Sequence, residues 1–266
     1  MGGLRYVRVY GTLLKNSLIR EMSFKANFAL WTVVEVLWFL GQILFIDVLF
    51  SHVESIGDWS RWEMVALVGV HQVIAQLFQA VFYVNLTHLP ELVRTGKLDA
   101  YLTLPLDSQF AVSTRQFGFD NLLNALVGVG MVAYALRKLA LVPSPSQVLL
   151  CLAAIVLGVA IHYSVLFSLS TLSFWIIRAQ GLVYGYFNLF NIGRYPESTF
   201  RGAFRWIFSW AVPVILVANV PARILTRAQQ SPWGALAQMC IATGLVLLGT
   251  RILWRQGLRR YSSASS

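Results

Sequence analysis

The chain has 266 residues, of which 57% are hydrophobic and only 12% are charged. Its mean hydropathy of +0.65 is too high for an ordinary soluble domain of this length. Six membrane spans would use about 120 residues, and because the rest is divided among short loops and one larger connection, we expect no separate soluble domain. The formal charge of +10 does not indicate a nucleic-acid partner, because the basic residues lie between apolar runs and at both ends.

The N-terminal segment, residues 4–24, places apolar side chains on one side of a helix and basic side chains at its edges. This pattern predicts a helix that lies in the membrane interface, although a plain basic flank of the first span remains the alternative. An excess of basic residues before the first span predicts a cytoplasmic N-terminus. These residues are Arg5, Arg8, Lys15, Arg20 and Lys25.

Six apolar runs predict an all-α integral membrane protein. The predicted spans are residues 27–50, 62–86, 119–136, 147–170, 173–193 and 235–253. The last span ends in a stripe of Arg251, Arg255 and Arg259, which predicts that the C-terminus is also cytoplasmic.

The longest polar connection is residues 87–117, between the second and third spans. Pro90 suits the first turn of a short helix, and Gly96 can adopt the left-handed conformation that ends one. A second short helical piece carries Leu98 and Leu102 before Pro105 stops it. Because exposed leucines on such a loop are typical of an interaction surface, we expect a docking partner.

The segment after the fifth span is apolar from Phe204 to Val220 but is interrupted by Pro213. Two cytoplasmic termini require an even number of spans. The segment therefore either enters and leaves from the outside or replaces the span predicted at 173–193. Charge bias favours the second arrangement, because Arg194, Arg201 and Arg205 would then become cytoplasmic.

Polar side chains recur at helical spacing in three predicted spans. Such groups are costly in lipid, so they should face protein or a wet cavity. They either form hydrogen bonds between helices or line a substrate path. The candidate path residues are Glu35, Gln42, Gln72, Gln76, Gln79, Tyr184, Asn188 and Asn191.

Motifs for catalysis or metal binding are missing. His71 and His162 lie in different spans without metal-ligand spacing, and Gly128-Val-Gly130 lacks the Lys and Ser or Thr of a phosphate-binding loop. The sequence also contains no GxSxG motif and no paired acid and base. We therefore expect no catalytic residue, no metal site and no cofactor bound by this chain.

The layout resembles the permease subunits of ABC-2 type transporters, in the compact branch with six spans. The resemblance covers nearly the whole chain and rests on short sequence pieces. These are Arg94-Thr-Gly-Lys-Leu-Asp-Ala-Tyr-Leu-Thr-Leu-Pro105, Phe174-Trp175, Tyr195-Pro196, Pro213 and Val220-Pro221.

The resemblance implies that loop 87–117 carries a coupling helix that docks on an ATP-binding subunit. The residues that would make this contact are Glu91, Arg94, Gly96, Lys97, Leu98, Asp99 and Leu102. It also implies that residues 196–225 form short re-entrant helices on the outer side, and here we follow the resemblance rather than the charge bias.

As a member of such a family, the chain would export a substrate across the bacterial cytoplasmic membrane. ATP and Mg would bind to the partner ATPase, and a second permease subunit, identical or homologous, would complete the path. Two other classes compete with this interpretation: a multispan membrane enzyme acting on lipid carriers, and a passive channel or scaffold.

Overall fold

The computed structural model describes residues 25–176, 180–227 and 231–261, which form helices and turns without a β-sheet. The interfacial helix predicted at 4–24 lies outside the described residues. The side chains of Trp31 and Glu35 also lie outside the described part, although their backbone belongs to a helix.

Besides two 3-10 turns, Ile192–Arg194 and Glu197–Thr199, the described residues form ten helices in chain order. They are α1 (Lys25–Phe50), α2 (Arg61–Arg94), α3 (Asp99–Leu102), α4 (Ser108–Ser113), α5 (Phe119–Lys138), α6 (Pro145–Phe174), α7 (Gln180–Asn191), α8 (Gly202–Ala211), α9 (Val214–Thr226) and α10 (Trp233–Arg260).

Four of these helices, α2, α5, α6 and α10, are long and apolar enough to cross a membrane. Helices α8 and α9 are bent by 83° at a short break and could count as one further broken span. The fully described apolar part of α1 is only Val36–Phe50, and α7 has 12 residues, about 18 Å of helix. The described residues therefore contain four or five candidate spans, where the sequence predicts six.

Helix α2 is longer than the predicted span 62–86 and continues to Arg94. Leu86, Leu89 and Leu92 are all buried, so the apolar face continues at helical spacing into the polar loop. Pro90 lies in the first turn of the segment Leu89–Arg94, as predicted, and needs no hydrogen-bond partner there.

Two ends of the helix bundle are defined by their polar contacts. At the Asp58 end, Arg227 Nη1 lies 2.6 Å from Asp58 Oδ2, and Gln147 Nε2 donates to Ile224 O. At the Asp107 end, Arg251 Nη2 lies 2.5 Å from Asp107 Oδ2. Loop 51–60 is therefore at the opposite end of the bundle from loop 95–118 and the C-terminal turn of α10.

The chain crosses from the Asp107 end to the Asp58 end between Phe174 and Glu197. Phe174 packs against Trp254, near the C-terminus of α10. Glu197 pairs with Arg223, which also reaches Asp58. A crossing in this stretch is what a span at 173–193 requires.

Helices α8 and α9 begin and end near the same carboxylate. Arg205 of α8 lies 3.7 Å from Glu197, and Arg223 of α9 lies 2.5 Å from it. The pair thus enters and returns at the Asp58 end. The arrangement favoured by charge bias, which moves Arg194, Arg201 and Arg205 to the other side, disagrees with these contacts.

Helix α9 lies buried in the middle of the bundle, against α2 and α6. A close backbone approach makes this possible, because a Cβ on Gly193 would lie only 2.8 Å from Val214 O. The buried Asn219 side chain then accepts from Glu197 N and donates to Tyr195 O and Ile215 O. A single amide therefore connects α9 to the irregular segment before α8.

Candidate functional site

A groove runs between α1, α2 and α7 and consists of two adjoining cavities of about 300 and 570 Å³. The cavities adjoin because Trp38, Asn191 and Arg194 line both of them. Along α2 the groove extends from Met64 to Gln79, a distance of about 22 Å. The groove thus reaches from the Asp58 end deep into the bundle.

Five of the eight predicted path residues line this groove. Gln72, Gln76 and Gln79 line the smaller cavity, Gln42 lines the larger one, and Asn191 lines both. The glutamines of α2 come together there because residues three or four apart share one face of a helix.

Tyr184 and Asn188 do not line either cavity. Both are exposed, Tyr184 by 69%, because α7 buries a different face, formed by Val183, Tyr186 and Phe190. The side chain of Glu35 lies outside the described part of the chain.

Two histidines for which the sequence predicts no role meet at the inner end of the groove, on a surface with Gln72 and Gln76 that we call the deep wall. His71 and His162 are buried, and their ring centroids are 6.4 Å apart. His71 Nε2 donates to Phe190 O at 3.0 Å, and His162 Nδ1 is hydrogen-bonded to the Tyr186 hydroxyl. Because 91 residues separate them along the chain, no local spacing rule could have paired them.

Several polar groups of this wall are not paired. His71 Nδ1, His162 Nε2 and Gln76 Oε1 are buried without a hydrogen-bond partner among the described residues. An unpaired buried polar group costs about 1–3 kcal/mol. These atoms therefore do not stabilise contacts between the described helices, which was the alternative interpretation of the glutamine stripe.

The loop 87–117 forms a compact structure at the Asp107 end. Glu91 and Arg94 form an exposed ion pair, and Gly96 has a φ of 72°, so it ends the first helical segment as predicted. The short helix α3 then occupies the predicted second piece. The loop is therefore a folded surface with a defined shape.

The prediction that Leu98 is exposed was wrong, because its side chain is 0% exposed. Leu98 N donates to Leu92 O, which folds the chain back so that the leucine enters the core. Leu102 is half-buried. The exposed side chains of this surface instead include Arg94, Lys97 and Leu104.

The loop is fastened to two long helices. Arg251 of α10 binds Asp107, and its hydrogen bond lowers the pKa of that carboxyl below its ordinary value. Trp254 Nε1 donates to Ser108 Oγ, and Gln109 Nε2 donates to the Tyr163 hydroxyl of α6. A force on the loop would therefore reach both α6 and α10.

At the other end, six charged side chains form what we call the Asp58 cluster. Its members are Asp58, Glu63, Glu197, Arg205, Arg223 and Arg227. Burial alone would raise the pKa of Asp58, but hydrogen bonding to Arg227 and the charges of the two neighbouring arginines lower it to about 2. The cluster ties the end of α9 to the loop between α1 and α2.

Comparison with known proteins identifies a family for the chain. A family model described as ABC-2 family transporter protein matches residues 36–265. A search of curated proteins found no significant match. Among the described residues, no group of three or more His, Cys, Asp or Glu side chains could hold a metal ion.

Proposed function

The chain belongs to the ABC-2 family of transporter proteins and is therefore a membrane permease component of an ABC transporter, and from this premise we propose that it exports its substrate. A separate ATP-binding subunit binds ATP and Mg and supplies the hydrolysis. The family match carries this proposal, and the architecture of loop 87–117 supports it.

We infer that the loop receives the movement of the ATPase and passes it on. Its exposed side chains Arg94, Lys97 and Leu104 offer a contact surface, while Asp107 and Ser108 connect the loop to α10. Closure of an ATPase beneath the loop would thus tilt α6 and α10 as a unit. Such a rigid connection suits a two-state movement of packed helices.

The proposed topology has six spans, with α1 as the first and the stretch from Phe174 to Glu197, which includes α7, as the fifth. Helices α8 and α9 form a re-entrant pair at the outer face, and both termini lie in the cytoplasm of a bacterium. The Asp58 end is then outside, and the Asp107 end faces the ATPase.

The groove between α1, α2 and α7 is the proposed substrate path. Its open side and the exposed apolar residues of α1, such as Leu37 and Leu44, suit a second permease subunit across a central path. Alternating access would arise when the two subunits move against each other.

Association with the ATPase can be tested with a matched pair of surface variants. Leu104 and Val53 are both 42% exposed but lie at opposite ends of the bundle. We expect Leu104→Asp to reduce copurification of the ATP-binding subunit at least tenfold, because a charge replaces an apolar contact at the docking surface. Val53→Asp should leave copurification unchanged.

Equal copurification with both variants would contradict the docking surface. If no ATP-binding subunit copurifies with the unchanged chain, the proposal of ATP-driven export fails, and passive passage through a channel would account for the chain better, since a channel needs no such partner.

A further inference from the structure

We propose that the deep wall of the groove is a binding subsite for an uncharged, ring-containing molecule that carries a hydroxyl group. This inference rests on the proposed function, because it names the class of substrate for the same path. It is carried by two buried, unpaired acceptors, His71 Nδ1 and Gln76 Oε1, by the neighbouring Gln72 amide, and by the aromatic surfaces around them.

The hydrogen-bonding state of His71 follows from its partner. A carbonyl oxygen only accepts, so His71 Nε2 must carry the proton that it donates to Phe190 O. In the uncharged ring, Nδ1 is then an acceptor. This acceptor is buried and has no donor among the described residues.

Two neighbouring amides add both donors and acceptors. Gln72 and Gln76 lie one helical turn apart, both are buried, and both line the smaller cavity. Gln76 Oε1 has no partner, and neither amide forms a hydrogen bond to another described residue. A hydroxyl group suits this wall because it donates one hydrogen bond and accepts others.

The charge of the wall argues against ionic substrates. Arg194 lines both cavities, and no described residue lining them is a carboxylate. A cation would find no carboxylate among the described lining residues, and an anion could not donate a hydrogen bond to the acceptors His71 Nδ1 and Gln76 Oε1. A neutral group agrees best with both features.

Aromatic side chains form much of the remaining surface. They are Trp38, Phe78, Tyr186, Phe187 and Phe190. Aromatic rings pair favourably with one another in offset or edge-to-face arrangements. A flat ring would therefore fit the cavity, with its hydroxyl directed to the polar wall.

The test uses 2-naphthol and 2-methoxynaphthalene, which share a ring system but differ in the ability to donate a hydrogen bond. The full chain in lipid nanodiscs is dialysed against each probe, and binding to empty nanodiscs is subtracted. We expect the unchanged chain to bind 2-naphthol about tenfold more tightly than its methyl ether. The ether cannot donate a hydrogen bond, so an acceptor of the wall stays unpaired, and the cost of this corresponds to about a tenfold loss of affinity.

Substitutions test whether the preference for 2-naphthol arises at the deep wall of the groove. His71→Phe and Gln76→Leu should each reduce the preference for 2-naphthol to less than threefold, whereas the matched controls His52→Phe and Gln256→Leu, both at exposed positions, should keep it. Gln72→Leu replaces either variant that does not fold. Equal affinity for the two probes, no binding of either, or an undiminished preference in the wall variants would overturn the subsite.

This measurement contains no ATPase, so it separates the two proposals. Selective binding of 2-naphthol without a copurifying ATP-binding subunit would keep the subsite and remove the proposal of ATP-driven export. The reverse result would keep ATP-driven export and remove the subsite.

Discussion

The groove and the Asp58 cluster both hold many polar side chains, but they differ in how these groups are paired. In the cluster, the side chains of Arg227 and Glu63 are only 12% and 15% exposed and bind each other. In the groove, His71 and Gln76 keep buried atoms without any described partner. Paired groups hold the Asp58 end of the fold together, whereas unpaired groups at a cavity wall lower stability and are available to a ligand.

The largest loss of stability should come from replacing Asn219, whose paired side-chain amide lies next to the Asp58 cluster. Asn219→Leu would leave Glu197 N–H and Tyr195 C=O without their partner, so we expect a loss of about 3 kcal/mol in the free energy of unfolding. Reversible unfolding in mixed micelles measures this value. Asn188→Leu, at an exposed position, is the control, and an equal effect of both would remove the special role of Asn219.

Within the cluster, Arg227→Met should cost about 2 kcal/mol. The change removes the charged partner of the nearly buried Glu63 and keeps the apolar stem of the side chain at position 227. The cost stays below that of a fully buried ion pair, because the other partner of Arg227, Asp58, is more exposed. The same unfolding measurement with Arg201→Met, exposed at the same end, gives the reference. A neutral result for Arg227→Met would mean that the cluster does not stabilise the fold.

Acid should weaken the cluster through Asp58. The pKa of this carboxyl is about 2 in the folded chain, below its ordinary value of 3.8. Its contribution to stability is therefore complete above about pH 4 and is lost as the pH falls toward 2. We expect Asp58→Asn to flatten this part of the stability profile, and an unchanged profile would show that other carboxyls cause the acid dependence.

The smallest effect on stability should come from the groove. Gln72→Leu removes an amide that forms no hydrogen bond to a described residue, so we expect a change within about 0.5 kcal/mol or a slight gain. Gln109→Leu, which loses partners in Tyr163 and Arg251, is the contrasting variant. A similar loss in both would restore the interpretation of Gln72 as a contact between helices.

Part of the candidate site was predictable from helical spacing alone. Gln72, Gln76 and Gln79 share one face in any helix, and they do line the groove. The same rule failed for Tyr184 and Asn188, because spacing shows which residues share a face but not which face is covered. Asn191, on the same helix, reaches the groove because it lies next to the buried Phe190 at the end of α7.

Contacts between residues that do not belong to the same helix limited the other predictions. His71 and His162 became neighbours only through the packing of α2 against α6. Leu98 looked like a docking residue because it lies in a polar loop, but the backbone bond to Leu92 turns it into the core. Neither contact has a signature within one helix or one turn.

The sequence by itself determined that this is a membrane protein, where most of its helices lie, and how Pro90 and Gly96 shape the last segment of α2 and its end. These features depend on local terms: hydropathy, helix periodicity and the backbone preferences of proline and glycine. Only the tertiary structure decided that α8 and α9 return to the same end, because that outcome depends on Asn219 and on charges of the Asp58 cluster far apart in the chain. Local preferences form helices, but pairings between distant residues decide which of their faces meet.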